Sequence, residues 1–571
     1  MSKSGQKGKA KVLDLSKARR KKEPLVSQDL GALSKKEGSR LLEYFLSADK
    51  PRELVRSLAP QDYYWVIKRV GEDDYLPLLE LGSYDQWQHV MDLELWEKDR
   101  LDLNQAYKWL SRLHKAHPPS LAKWLYTKAQ HLAYLFFYKS IEVETRPQDE
   151  AYDLPDGFFT LDGVYYLRAK NPEQQEILYE ILRSMAQLDY NLYQSFLTTL
   201  PGVIPAELEE EMFRLRGIRL AEVGFLPFNE AMEIYSALPL QAIAPEQKGE
   251  IVEIDQDEED IKGLVPVTPL QEAPRENMLI KVASKDMDLA FVERLQLEFA
   301  GLCNQILSAE GLRVEDFDVL VQTCRRASAY LNLALEEIAG EDLSRAEQIV
   351  KNHSLVKIFR VGFGLALRAK WEAERWVKGS WFKEQGLEFS FWGEEWGEIL
   401  AALLERKPRY FAGQGPGPKD FEKPPELAHA IEISRRLRVL DALLRQLAMK
   451  YPIAPELLKH PEALFYPVLF NLWAVSLLGL EPQARPLSLE EAKMFFQILR
   501  QGEQEPPFSM NQFRDAFVEF FASEGEGLAD KTELSALLSL LWQEFREEYA
   551  GVKLEDLDPR YSRILVIRPS P

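Results

Sequence analysis

Ala59-Pro60-Gln61-Asp62, Gly71-Glu72-Asp73-Asp74 and Gly82-Ser83-Tyr84-Asp85 punctuate the stretch from Arg52 to Leu113. Each marks a helix start. A proline or glycine sits at the entry turn, and acidic side chains follow where the first amides of a helix are electropositive. Apolar residues recur at helical spacing between them, so the stretch reads as short capped helices, one per roughly a dozen residues. Helices this short cannot bury their apolar stripes alone, and the units must stack into a superhelical repeat. Such stacks present surfaces that hold other molecules. The expected fold class is mainly α.

On the N-terminal side, residues 1–28 are rich in Lys and Arg, with Arg19, Arg20, Lys21 and Lys22 in a row, and are expected to be a disordered basic tail. No apolar stretch of the kind a signal peptide needs follows them. On the C-terminal side the helical-repeat domain is expected to span 29–238. One helix is predicted from Leu121 to Tyr138, one from Pro172 to Leu200 and one from Pro205 to Arg219. A change of period at 158–167 predicts a small β-hairpin: Phe158-Phe159-Thr160-Leu161 and Val164-Tyr165-Tyr166-Leu167 flank Asp162-Gly163, which suits a type I′ turn. Ser140 to Glu144 can add a third strand, and Gly224 can take a left-handed conformation at a helix end.

Residues 239–275, with five prolines and the acidic run Glu253–Asp260, read as an acidic Pro-rich linker. A second α-helical domain is expected over 276–571, interrupted by a Gly/Pro-rich loop at 413–425. The Gly362-Phe363-Gly364 segment inside a helical run predicts close helix packing, and Arg563–Arg568 a short terminal strand. The longest apolar run, Ala463 to Leu480, carries Pro467, Asn471 and Ser476, which makes it a buried core helix and not a membrane span.

A formal charge of −20 argues against nucleic acid as a partner, because phosphate binding needs a basic surface. The two cysteines, Cys303 and Cys324, have no CxxC or metal spacing, which fits buried helix residues in a reducing cytoplasm. Glu426-Leu427-Ala428-His429 has the spacing of a di-iron ligand pair but no second copy among the seven histidines. The acidic run around Asp255 departs from a calcium loop at Asp260 and Pro266. There is no Walker A sequence, no Gly-x-Ser-x-Gly and no HExxH, and Gly413-Gln414-Gly415-Pro416-Gly417 is a loop. No catalytic, cofactor-binding or metal-binding residue is assigned.

Two resemblances add to this. Leu54, Leu58, Pro60 and Asp62 form a Leu-x-x-x-Leu-x-Pro-x-Asp helix start similar to that of the intracellular N-terminal domain of MgtE-type magnesium transporters and its relative in flagellar motor switch proteins. It implies a superhelical, interaction-prone scaffold and no ion transport. Over most of its length the chain resembles an uncharacterised bacterial family known by a domain-of-unknown-function label. The segments that carry this are Pro155–Gly163, Arg216–Tyr235 and His353–Trp376. That resemblance implies no activity and no site.

Three groups remain as candidate ligand or partner surfaces. Leu54 and Leu58 lie on the stack. Trp371, Trp376, Trp381, Trp392 and Trp396 crowd one region among acids such as Glu395, a composition that suits either a stacking pocket or a packing layer. Arg435 and Arg438 are helical neighbours able to chelate an anion or to pair with acids of the chain. Likewise Arg216 and Arg219 share a face, with Glu222 within reach of Arg219. The leading functional expectation is a cytoplasmic scaffold or adaptor that binds a protein partner. The alternative is an enzyme or small-ligand binder with a Trp/Glu/Arg-lined pocket in the C-terminal domain. Peripheral membrane contact through the basic N-terminus is a third reading.

Overall fold

The computed structural model describes residues 38–145, 156–244, 268–274, 276–285, 288–311, 317–413, 417–458, 463–503, 505–525, 527 and 531–568. The basic tail and the acidic run of the expected linker lie outside them. The chain is mainly α, with a two-stranded and a three-stranded sheet. It divides into two compact units: the described residues of Met1–Ile234, Lys248–Ser328 and Val350–Val356, and those of Tyr235–Gln247, Ala329–Ile349 and Lys357–Pro571. Both edges of the expected linker are packed structure, since Ile243 and Leu270 are buried.

The first unit opens with the predicted stack, arranged in two rows. Helices Gly38–Leu46, Pro60–Val70 and Tyr84–Glu94 pack in succession in one row, and Pro51–Arg56, Leu76–Leu81 and Leu103–Ala116 in the other. Each helix therefore rests on the second-next one, and the structural repeat is a helix pair of roughly two dozen residues. The shortest helices have six residues, so most of their carbonyls lack an intrahelical donor. Side chains from neighbouring helices supply donors. Gln86 Nε2 donates to the Val55 and Leu58 carbonyls at 2.9 Å each. Tyr63 Oη donates to Leu78 and Trp87 Nε1 to Leu79, both at 3.0 Å. Gln86 also closes a capping box with Ser83, so one residue fixes a helix start and a neighbour's end. A Cβ on Gly82 would lie 2.5 Å from Tyr63 Oη, so the crossing needs glycine there.

The sheets are small. Strands β1 (Trp96–Glu97) and β2 (Arg100–Leu101) form one hairpin; β3 (Ile141–Thr145), β4 (Phe159–Thr160) and β5 (Tyr165–Ala169) form an antiparallel sheet in the order β3-β5-β4. The third strand thus exists, but the connection is not a two-residue type I′ turn. Phe159 faces Leu167 and Thr160 faces Tyr166, leaving a longer loop. Gly163 has φ +72°, whereas Asp162 keeps a negative φ and uses its carboxylate to accept from the Val164 and Tyr165 amides at 2.9 Å.

Two predicted helices are each divided. The Leu121–Tyr138 segment is Pro118–Tyr126 followed by Gln130–Ser140; the break comes at Thr127, whose hydroxyl donates to the Lys123 carbonyl. The Pro172–Leu200 segment breaks at Asp189, which leaves the helical region and caps the Leu192 amide at 3.0 Å. Further along this unit, Gly224 has φ +85° and sits against Gly301, where a Cβ would come within 2.6 Å of the Gly301 Cα. The Leu289–Glu310 and Phe317–Ala339 helices bring Cys303 and Cys324 together with their Sγ atoms 3.5 Å apart.

The second unit is built on the Pro424–Lys450 helix, which packs against Trp381–Glu384, Glu394–Leu404, Gln512–Glu524 and Lys531–Tyr549. Gly362 allows the predicted close approach: a Cβ there would lie 1.9 Å from the Tyr330 carbonyl oxygen. The Ala463–Leu480 run holds the buried helix Phe465–Leu477, and among the described residues no helix is long and apolar enough to cross a membrane. The C-terminal segment makes a single-residue bridge, Leu487 with Ile567, in place of a strand.

Candidate functional site

On the stack, Leu54 and Leu58 take different positions although they are four residues apart. Leu58 is 4% exposed, and its carbonyl is one of the two gripped by Gln86. It is core. Leu54 is half-buried and helps line a surface depression of about 450 Å³ with Tyr44, Ala48, Lys50, Glu53 and Ser57. The Gly38–Leu46 helix and Pro51–Arg56 position these groups, and Lys50 and Glu53 pair across the rim at 2.7 Å. Leu46 adds exposed apolar surface at the end of the first helix. The depression therefore joins an apolar floor to a charged edge, a combination suited to an amphipathic peptide segment.

The tryptophans do not converge on a common opening. Trp381, Trp392 and Trp396 are buried. Trp392 packs edge-on against Phe382 and Phe391, and Trp396 stacks on Phe465 with centroids 6.0 Å apart. Trp376 is half-buried and donates its indole N–H to Ser434 Oγ at 3.0 Å, while Trp371 is exposed. Glu395 is exposed on the solvent side of its helix. Three cavities stand out among the described residues, and these tryptophans line none of them. Two acids in this region, Asp441 and Glu544, are desolvated, and burial raises the pKa of Glu544 while Tyr466 Oη donates to it. The first of them, Asp441, serves the backbone. Burial raises its pKa, although the Trp381 and Phe382 amides donate to it at 2.8 and 3.0 Å. Its role is to cap a helix start.

Arg435 and Arg438 are both exposed. Arg435 comes within 4.0 Å of Glu533, while their helix neighbours pair closely, Arg436 with Glu432 and Arg445 with Glu384. Arg219 turns to Asp92 with two bonds at 2.7 and 2.8 Å, and Arg216 donates to the Asp92 carbonyl. The ion pair expected inside the Arg219–Glu222 turn thus ties the Pro205–Glu222 helix to Tyr84–Glu94, because the buried Asp92 carboxylate offers a less solvated partner than the exposed Glu222. One cavity-lining set carries no sequence motif at all: Asn511, Arg514, Gln543 and Arg546, beside Trp542. Among the described residues no group of three or more His, Cys, Asp or Glu side chains is placed to hold a metal ion.

Fold and surface together define a mainly α protein whose first described helices form a two-row stack. The chain belongs to the family of unknown function DUF6178, whose model matches residues 19–568. No curated protein matches the chain, and no solved structure does.

Proposed function

We propose that the protein is a cytoplasmic helical scaffold or adaptor that holds a protein partner on its N-terminal stack. One observation carries this reading. Gln86 ties neighbouring helix ends of the stack together, yet the stack leaves an apolar depression with a charged rim around Tyr44, Ala48 and Leu54. An amphipathic segment of a partner, presenting apolar residues at helical spacing and a charged edge toward Lys50 and Glu53, fits that surface. The test is cross-linking and co-purification from the native host, followed by reconstitution with the purified partner. Leu54→Asp, at a half-buried position, is expected to leave the circular dichroism spectrum unchanged and abolish the complex. A complex that forms equally well with Leu54→Asp would refute the assignment of this surface, and the absence of any stoichiometric partner would refute the scaffold reading.

A further inference from the structure

The second unit contains a cavity of about 360 Å³ at one end of the paired helices Gln512–Glu524 and Lys531–Tyr549. Arg514 comes from the first helix and Arg546 from the second, and Leu540 and Trp542 supply apolar wall. No carboxylate lines it. In a chain with a net charge of −20, two guanidinium groups lining one cavity with no carboxylate in its wall require an explanation.

The two arginines differ in how their charges are met. Arg546 donates to Asn511 Oδ1 at 2.7 Å, a neutral acceptor that orients the guanidinium and leaves its charge uncompensated. Among the described residues it makes no ion pair. Arg514 donates through Nε and Nη2 to Asp515 Oδ1 at 3.0 and 2.9 Å, a surface pair whose carboxylate side chain is 74% exposed and which is therefore weak. The Trp542 indole N–H is buried and has no acceptor among the described residues. The Gln512–Glu524 helix also starts here, and its Asn511 side chain is committed to Arg546 instead of capping the first turn. The cavity thus joins an electropositive helix end to two oriented cations. Its volume is that of a small-molecule site.

We propose that this cavity binds a small organic anion. A carboxylate or phosphoryl head sits between Arg514 and Arg546, and the apolar body lies along Leu540 and Trp542. The same planar forks suit either head group.

The experiment is isothermal titration of the full chain with phenyl phosphate and with benzoate, using benzyl alcohol as the neutral probe of similar shape. Saturable one-to-one binding of at least one anion is expected, with none for the alcohol. Arg546→Met and Arg514→Met should each weaken it tenfold or more. Arg560→Met, an exposed arginine that does not line the cavity, should leave it unchanged. Tighter phenyl phosphate binding assigns a phosphoryl ligand, and tighter benzoate binding a carboxylate. The proposal is overturned by absence of saturable binding for both anions, by equal binding of benzyl alcohol, or by binding that survives both cavity variants. Unchanged thermal melts of the exposed-site variant Arg514→Met separate lost binding from lost folding.

Discussion

The N-terminal stack and the aromatic core of the second unit solve the same problem in opposite ways. In the stack, helices of six residues leave most of their backbone carbonyls without an intrahelical donor, and cohesion comes from side chains of one helix donating to the end of another: Gln86 to Val55 and Leu58, Tyr63 to Leu78, Trp87 to Leu79. In the second unit, long helices satisfy their own backbones and are joined by rings. Phe470 stacks on Phe517 and Phe545 with centroids 4.7 Å apart, and Trp473 meets Trp542 edge-on at 5.3 Å. Helix length decides which device is needed. A short helix has too little stripe for area burial to dominate, whereas a long one has few orphan carbonyls per residue.

Four measurements test that contrast. The largest effect is expected from Trp473→Ala, which opens a void among the rings and should cost about 3–5 kcal/mol in urea unfolding of the second unit. A loss below about 1 kcal/mol would mean that rings are not the fastening there. Next, Gln86→Ala leaves two carbonyls and a capping box without their partner and should cost about 2 kcal/mol in the first unit. Gln86→Glu separates shape from chemistry: it keeps the length but cannot donate when ionised, so it should be as damaging as the alanine at neutral pH.

The third measurement uses pH. His89, on the Tyr84–Glu94 helix, is held at a pKa of about 4 by burial, which disfavours its charged form. The unfolded chain binds that proton near pH 6.5 and the folded chain does not, so stack stability is complete above about pH 6.5 and falls as pH drops toward 4. Lowering the pH from 7.5 to 5.5 should remove about 1 kcal/mol, and His89→Gln should flatten the slope. A slope that persists in the variant would assign the effect to another group. The smallest effect is expected from Leu54→Asp, within about 0.5 kcal/mol of the parent because Leu54 is a half-buried surface position. Leu58→Asp should instead unfold the stack, a sharp difference between two leucines that one motif groups together.

That pair shows where the sequence is transparent and where it is not. Helix existence was legible because its signals are local. The Pro205–Glu222 helix begins at the predicted proline and runs three residues past the predicted Arg219, and Ser488 with Glu491 closes a capping box. The breaks at Thr127 and Asp189 were not legible, since neither glycine nor proline marks them and a side-chain bond makes each one. Partnership between helices was opaque too. Periodicity gives an apolar face but not what covers it, so the composition around Trp392 suited a packing layer and still left a pocket open. The same limit hides the meeting of Asp92 with Arg219 and of Cys303 with Cys324, and the cavity that Arg514 and Arg546 both line, each of which joins distant or unpatterned residues. Of the candidate site, Leu54 was legible as a surface apolar residue, but its separation from Leu58 required the Gln86 contact.

The two-row order of the stack also gives it a parity. Because every helix rests on the second-next one, deleting a single helix would send all later helices to the opposite row, with their apolar stripes facing away from their former neighbours. Deleting or duplicating an adjacent pair would leave each row in phase. Variation in the length of this array should therefore come in even steps, and a graft of one helix should be far more disruptive than a graft of two.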